Sequence, residues 1–164
     1  MKLKRLLPLC LLLPSQGLAI ELAAVEKAVT EMGFKSNYAR LAKDNYYGAR
    51  KRYEFDAEFA VEVFFNPKTS QKISQIRFTA KRCLMTNTAK MSESEFKSKV
   101  QTDYLTSYKG IFRSEPPQQF SNFLSEETEK VTAVSQSYKS VAYRSATPKC
   151  DSGLGTIHHI IFYY

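Results

Sequence analysis

From Tyr53 to Phe65 every odd position is apolar: Tyr53, Phe55, Ala57, Phe59, Val61, Val63 and Phe65. Glu54, Asp56, Glu58 and Glu62 sit among the even positions. Successive side chains of a strand point to opposite faces, so an alternation this long predicts a strand over 53–65 with one face on a core and one in water. Asn66-Pro67-Lys68-Thr69 reads as a turn. A second strand over 71–83 follows, with Ile76, Phe78 and Ala80 on one face and Arg77, Thr79 and Lys81 on the other. The two form an antiparallel hairpin in this reading. A four-residue loop would set Glu58 opposite Arg77 and Glu54 opposite Lys81.

Two helices flank this hairpin. Leu22, Val25, Val29 and Met32 recur at spacings of three and four, which predicts a helix over 21–32 closed by Gly33. Ser92 and Glu95 form a capping box, with Met91 and Phe96 at the flanking apolar positions. Phe96, Val100, Tyr104 and Tyr108 carry that helix over 92–109, and Gly110 is expected to end it. Pro116-Pro117 can start a short helical turn through Phe120, Phe123 and Leu124.

The remaining segments read as extended. Residues 37–43 permit a short strand, and Asp44–Gly48 a turn. Residues 130–145 are Val-, Ser- and Tyr-rich, with an interruption near Ser137. Residues 156–164 are apolar on both faces, as an inner strand covered on both sides would be. The order helix, sheet, helix, sheet makes a duplicated αββ unit conceivable, but no residue-level repeat supports it. The expected fold is α+β: one domain over 20–164, an antiparallel sheet of about five strands, and two main helices on one face.

The N-terminus places the chain in a compartment. Lys2, Lys4 and Arg5 precede the apolar run Leu6–Leu13, and Gly17 and Ala19 offer small residues for a cut after Ala19. Residues 1–19 therefore read as a cleaved signal peptide, with the mature protein periplasmic or secreted. A lipoprotein reading through Cys10 lacks the small residue such a site wants just before it. Removing the leader takes three cations and no acids, leaving 21 basic against 16 acidic residues, a net charge of +5 rather than +8. That suits an acidic partner without demanding one. Cys83 and Cys150 remain, an even pair in an oxidising compartment, and read as a disulfide. Closing so long a loop stabilises by roughly 4 kcal/mol in the chain-entropy picture.

No motif carries catalysis. The acidic row could hold a cation, but cross-strand pairing accounts for it, and nothing supplies further oxygen ligands. His158 and His159 are adjacent on a strand, so they face opposite ways and do not chelate together. Asp151-Ser152-Gly153 lacks a nucleophile elbow. No cofactor or metal is expected. The best binding candidate is Tyr46-Tyr47-Gly48-Ala49-Arg50-Lys51-Arg52-Tyr53, which interleaves aromatics with cations. Tyr46, Tyr47, Arg50 and Arg52 are its expected partner-binding residues, with Lys51 turned the other way. The function expected is a non-catalytic binder of the bacterial envelope: an inhibitor, an immunity-type neutraliser or an assembly factor. Its partner would be another protein or an anionic envelope polymer. Export argues against nucleic acid, and membrane-surface contact through the basic aromatic segment is a weaker idea. The alternative is an envelope hydrolase whose site assembles from sequence-distant residues.

Overall fold

The structure, a computed structural model, describes residues 20–40, 48–68, 72–83, 91–123, 131–133, 140–147, 149–150 and 153–164. Helix α1 (Leu22–Glu31) leads into strands β1 (Lys35–Arg40), β2 (Ala49–Glu54), β3 (Phe59–Phe65) and β4 (Ile73–Cys83). Helix α2 (Glu93–Phe112) and a 3-10 turn (Gln118–Phe120) precede β5 (Val131–Ala133), β6 (Ser140–Ala146), β7 (Lys149–Cys150) and β8 (Gly153–Tyr163). The fold is α+β, with an antiparallel sheet in the order β1-β2-β3-β4-β8-β6-β5. β7 pairs with β8 off this path. Its register, Lys149 with Leu154, continues that of Ala146 with Ile157, so β6 and β7 are one interrupted strand.

Seven strands along the path replace the expected five, because the alternating run 53–65 is two strands and the stretch 130–145 carries two as well. Phe55–Glu58 bends between them. Asp56 Oδ1 accepts the backbone N–H groups of Glu58 and Phe59, both at 2.9 Å. A short side chain that satisfies its neighbours' amides offers the backbone an alternative to the ladder, and periodicity alone does not register it. Tyr53 pairs with Val61 across the resulting hairpin. Tyr53, Phe59, Val61, Val63 and Phe65 are buried as the alternation required, whereas Phe55, at the bend, is 47% exposed.

The β3–β4 register also differs from the expected one. Glu62, not Glu58, lies opposite Arg77, and Phe59 lies opposite Ala80. The connection is longer than four residues, and the register shifts at Phe64/Phe65. The slip is four residues. Because the strand period is two, an even slip preserves every face.

Both helices cover the face carrying Tyr53, Phe59, Val61, Phe78, Ile160 and Phe162. α1 buries Leu22, Val25 and Val29 and ends at Gly33, whose φ of 86° suits a residue without a Cβ. Glu26 ties it to the sheet by accepting from Lys51 Nζ and from the Tyr53 hydroxyl. α2 opens on the expected capping box between Ser92 and Glu95 and buries Phe96, Val100, Tyr104, Tyr108 and Ile111. It does not stop at Gly110. It continues to Phe112 and ends on Arg113, with φ 54°. Gly110 instead admits α1: a Cβ there would lie 2.8 Å from Met32 Sδ. Phe78 sits at the centre of the core, with ring centroids 5.1 Å from Tyr104, 5.8 Å from Phe162 and 6.2 Å from Tyr108. Burying each such ring contributes about 1.5–3 kcal/mol.

The chain order places the last strands of the two halves side by side. α1 precedes the meander β1–β4, α2 precedes the meander β5–β8, and β4 pairs antiparallel with β8 at the middle of the sheet. β8 is thus the inner strand its two apolar faces required. The leader 1–19, Cys10, Tyr46 and Tyr47 lie outside the described residues. Cys83 pairs with Gly155 and Cys150 with Gly153. The Cys150 side chain is outside the described ones, so no Sγ–Sγ pair is described.

Candidate functional site

The face of the sheet away from the helices is polar at its middle. Reading the ladders across, one row runs Arg52, Glu62, Arg77, Ile161, Ala142. The row on one side of it runs Arg50, Phe64, Gln75, Tyr163, Ser140. The row on the other runs Glu54, Ala60, Thr79, His159. Alternation alone sends all of these side chains to the face that neither helix covers.

Glu62 is the hub. Its side chain is only 3% exposed, although the sequence reading put it in water. Its Oε1 accepts from Arg50 Nη1 at 3.0 Å and from Arg52 Nη1 at 3.2 Å. Arg77 Nη1 lies 3.7 Å from Oε2. Burying a carboxylate costs several kcal/mol unless cations and donors surround it, and here three guanidiniums do. The Thr79 hydroxyl donates to Oε2 at 3.2 Å and lies 3.0 Å from His159 Nδ1. A carboxylate can only accept, so the Thr79 proton goes to Glu62 and His159 carries its proton on Nδ1. Burial first, and the Arg77 charge second, lower the His159 pKa to about 4. The ring is therefore neutral at neutral pH.

The arginines are braced from behind. The Arg77 guanidinium stacks over Phe64, 4.7 Å from its ring centre. The Gln75 amide oxygen, in the orientation that satisfies both groups, accepts from Arg77 Nε and Nη2 at 3.1 and 3.0 Å. Arg52 Nε donates to Glu54 at 2.6 Å. Burial opposes the charge on Arg52, but Glu54 and Glu62 together raise its pKa. Arg50 Nε is buried with no hydrogen-bond partner among the described residues. The three side chains stay 34%, 26% and 24% exposed for Arg50, Arg52 and Arg77, enough to present their outer edges to solvent.

Of the expected partner-binding residues, Arg50 and Arg52 meet on this face, and Lys51 faces α1, as alternation required. Arg77, Gln75, Thr79 and His159 escaped sequence reading as parts of one cluster. Their shared face was legible, but the register that joins them to Glu62 was not.

The rest of the acidic row disperses. Asp56 and Glu58 sit at the bend beside Lys99, which pairs with Asp56. Burial would raise the Asp56 pKa, but Lys99 and the two backbone amides lower it overall. Burial and the neighbouring Asp56 raise that of Glu58. Among the described residues no three His, Cys, Asp or Glu side chains group as metal ligands. His158 takes the helix side of β8, away from His159, and burial, with Lys97 second, lowers its pKa. No family model matches the chain, and neither a curated protein nor a solved structure matches it.

Proposed function

We propose that this protein is exported through a cleaved leader, residues 1–19, and acts in the periplasm or outside the cell as a non-catalytic binding protein. An inhibitor, an immunity-type neutraliser or an envelope assembly factor would all fit. The observation that carries the reading is the braced arginine cluster on the face opposite α1 and α2. Arg50, Arg52 and Arg77 are held in fixed positions by a buried carboxylate and by Phe64 and Gln75. Fixed guanidinium groups lose little side-chain entropy when they meet a ligand, which favours recognition. The bend pair Asp56 and Glu58 offers a hydrolase less, because Asp56 is engaged by two amides and Lys99.

The staple belongs to the same proposal. Cys83 and Cys150 flank β8, through the backbone pairings Cys83 with Gly155 and Cys150 with Gly153. A flat sheet would hold their strands about 9.6 Å apart, beyond disulfide reach, so the bond requires this end of the sheet to coil. Thiol titration of the exported, non-reduced protein should find no free thiol. Replacing both cysteines with Ser should cost about 2–5 kcal/mol.

Binding is tested by immobilising the mature protein and recovering partners from an extract of its own compartment at rising salt. Simple charge reversal at Arg50 or Arg52 would strand the buried Glu62 and unfold the sheet. The informative variant is therefore Arg50→Gln/Arg52→Gln/Glu62→Gln, which removes cations and hub together. It should keep its melting transition and lose a partner that wild type retains at stoichiometric amounts. Equal recovery by both proteins would move the binding surface elsewhere. N-terminal sequencing of the exported protein should begin at Ile20, and a retained Met1 would refute export by this leader.

A further inference from the structure

On the β1 side the sheet ends in an edge that no described strand covers. β1 pairs with β2 along its whole length, from Lys35 with Glu54 to Arg40 with Ala49, without a bulge or a proline. The ladders fix which of its backbone groups are engaged. The Phe55 N–H donates to the Phe59 carbonyl, so the odd residues of β2 bond to β3 and the even ones to β1. Glu54, Arg52 and Arg50 therefore engage Lys35, Asn37 and Ala39. The N–H and C=O groups of Ser36, Tyr38 and Arg40 are left to point outward. Lys35, Ser36 and Asn37 are exposed, so the first half of this edge is open to solvent.

Going beyond the arginine cluster, we infer that the edge of β1 takes up an extended acidic segment of a partner protein as an added strand. The backbone selects polypeptide, because only a peptide chain offers N–H and C=O groups at the spacing of a strand. Charge selects the sign. From residue 35 to residue 54 the chain carries Lys35, Arg40, Lys43, Arg50, Lys51 and Arg52 against Asp44 and Glu54, an excess of four. Glu26 and Glu62 reach this hairpin from α1 and β3 and offset two of them. Nearby on α1, Lys27 pairs with Glu31. A second copy of the chain would bring the same positive excess to the seam, and edge cations guard against that self-pairing. An acidic strand turns the guard into an attraction. The end of the ladder adds an apolar seat. The rings of Phe34 and Phe55 lie 5.3 Å apart there, and Phe55 is 47% exposed at a bend that Asp56 fixes. Beyond Glu54 the bend is acidic, with Asp56 and Asp103 paired to Lys99 and Glu58 beside them. The carboxylates of the incoming strand therefore belong at the Arg40 end and its apolar residues at the Phe34–Phe55 end.

The test uses the full mature chain labelled with 15N, following backbone amides. Two N-acetylated, C-amidated octapeptides serve as probes, Glu-Thr-Glu-Thr-Val-Thr-Val-Phe and its reverse, because an added strand can run either way. One of them should shift the Ser36, Tyr38 and Arg40 amides saturably and slow their exchange with solvent. The same peptide with Lys for Glu should not, and neither should inorganic polyphosphate at matched charge. Of its two alternately N-methylated forms, one should bind and the other should not, a contrast that leaves the protein untouched. Tyr38→Pro removes an outward N–H without breaking a β1–β2 bond and should weaken the peptide about tenfold, whereas Tyr38→Thr should not. The edge assignment is overturned if neither peptide protects the three amides, if the Lys peptide or polyphosphate protects them equally, or if both N-methylated forms bind alike. It is overturned equally if Tyr38→Pro binds like wild type, or if sedimentation shows the mature protein pairing with itself through this edge. Recovery of the same native partner by wild type and by Tyr38→Pro would sink the edge and leave the binding reading standing. Recovery of no stoichiometric partner by wild type would defeat the binding reading itself.

Discussion

The two faces of this one sheet are held by different physics. On the helix side, Phe78 meets Tyr104, Tyr108 and Phe162, and burial of apolar surface supplies the stabilisation. On the far side, one rung along, Glu62 is as deeply buried as the aromatics but is held by three cations and a hydroxyl. The apolar face gains from each contact independently. The polar face depends on all partners at once, because a buried charge that loses one partner keeps its desolvation cost. A protein that needed only a stable sheet would be served as well by apolar residues there. The network fixes the arginines in place.

Truncation of the apolar face should have the largest effect. Phe78→Ala removes the ring at the centre of the α2 contact and should cost about 3–5 kcal/mol in urea unfolding. A loss under about 1 kcal/mol would mean that α2 is not seated there.

The polar face should show coupling that the apolar face does not. Arg52→Gln alone should cost about 2 kcal/mol, because Glu62 loses a donor, while Arg52→Gln combined with Glu62→Gln should recover most of it. Simple additivity in that double-mutant cycle would dissolve the contrast between the faces.

The pH dependence sharpens it further. His159 has a folded pKa of about 4 against an ordinary 6.5. Above pH 6.5 both states hold it neutral and it costs nothing. As pH falls from 6.5 to 4 the unfolded chain takes the proton first, so stability falls, and the loss levels off once the folded ring is protonated. After allowance for its partial exposure the effect is about 1 kcal/mol. Glu58, whose pKa is raised, works in the opposite sense. The comparison is therefore between wild type and His159→Gln, whose melting temperature should decline less over that range. Parallel declines would remove His159 from the network. The smallest effect belongs to the rim: Glu54→Ala breaks only an exposed pair with Arg52 and should cost less than about 1 kcal/mol.

Much of this organisation was legible because it is local. The Ser92–Glu95 box, the stripe of α1 and the apolar nature of β8 each follow from spacings within a dozen residues. Two ends were misjudged, one for a tertiary reason and one for a local reason that periodicity does not register. Gly110 looked like a helix stop, but it is the place where Met32 of α1 comes close. Phe55 fitted the alternation, but Asp56 turns the chain three residues before the core resumes at Phe59.

The sequence by itself determined which side chains share a face, since a period of two survives any even slip in register. It could therefore put Arg50 and Arg52 on the side opposite Lys51 before any pairing was known. Only the tertiary structure decided which strands lie together and at what offset. A four-residue shift in the β3–β4 hairpin brought Glu62, rather than Glu58, to Arg77, and the pairing of β4 with β8 brought His159 to Thr79. Those pairings join residues up to 80 positions apart. Their energies come from desolvation and charge compensation among groups that meet only in the folded sheet, and no spacing along the chain encodes them.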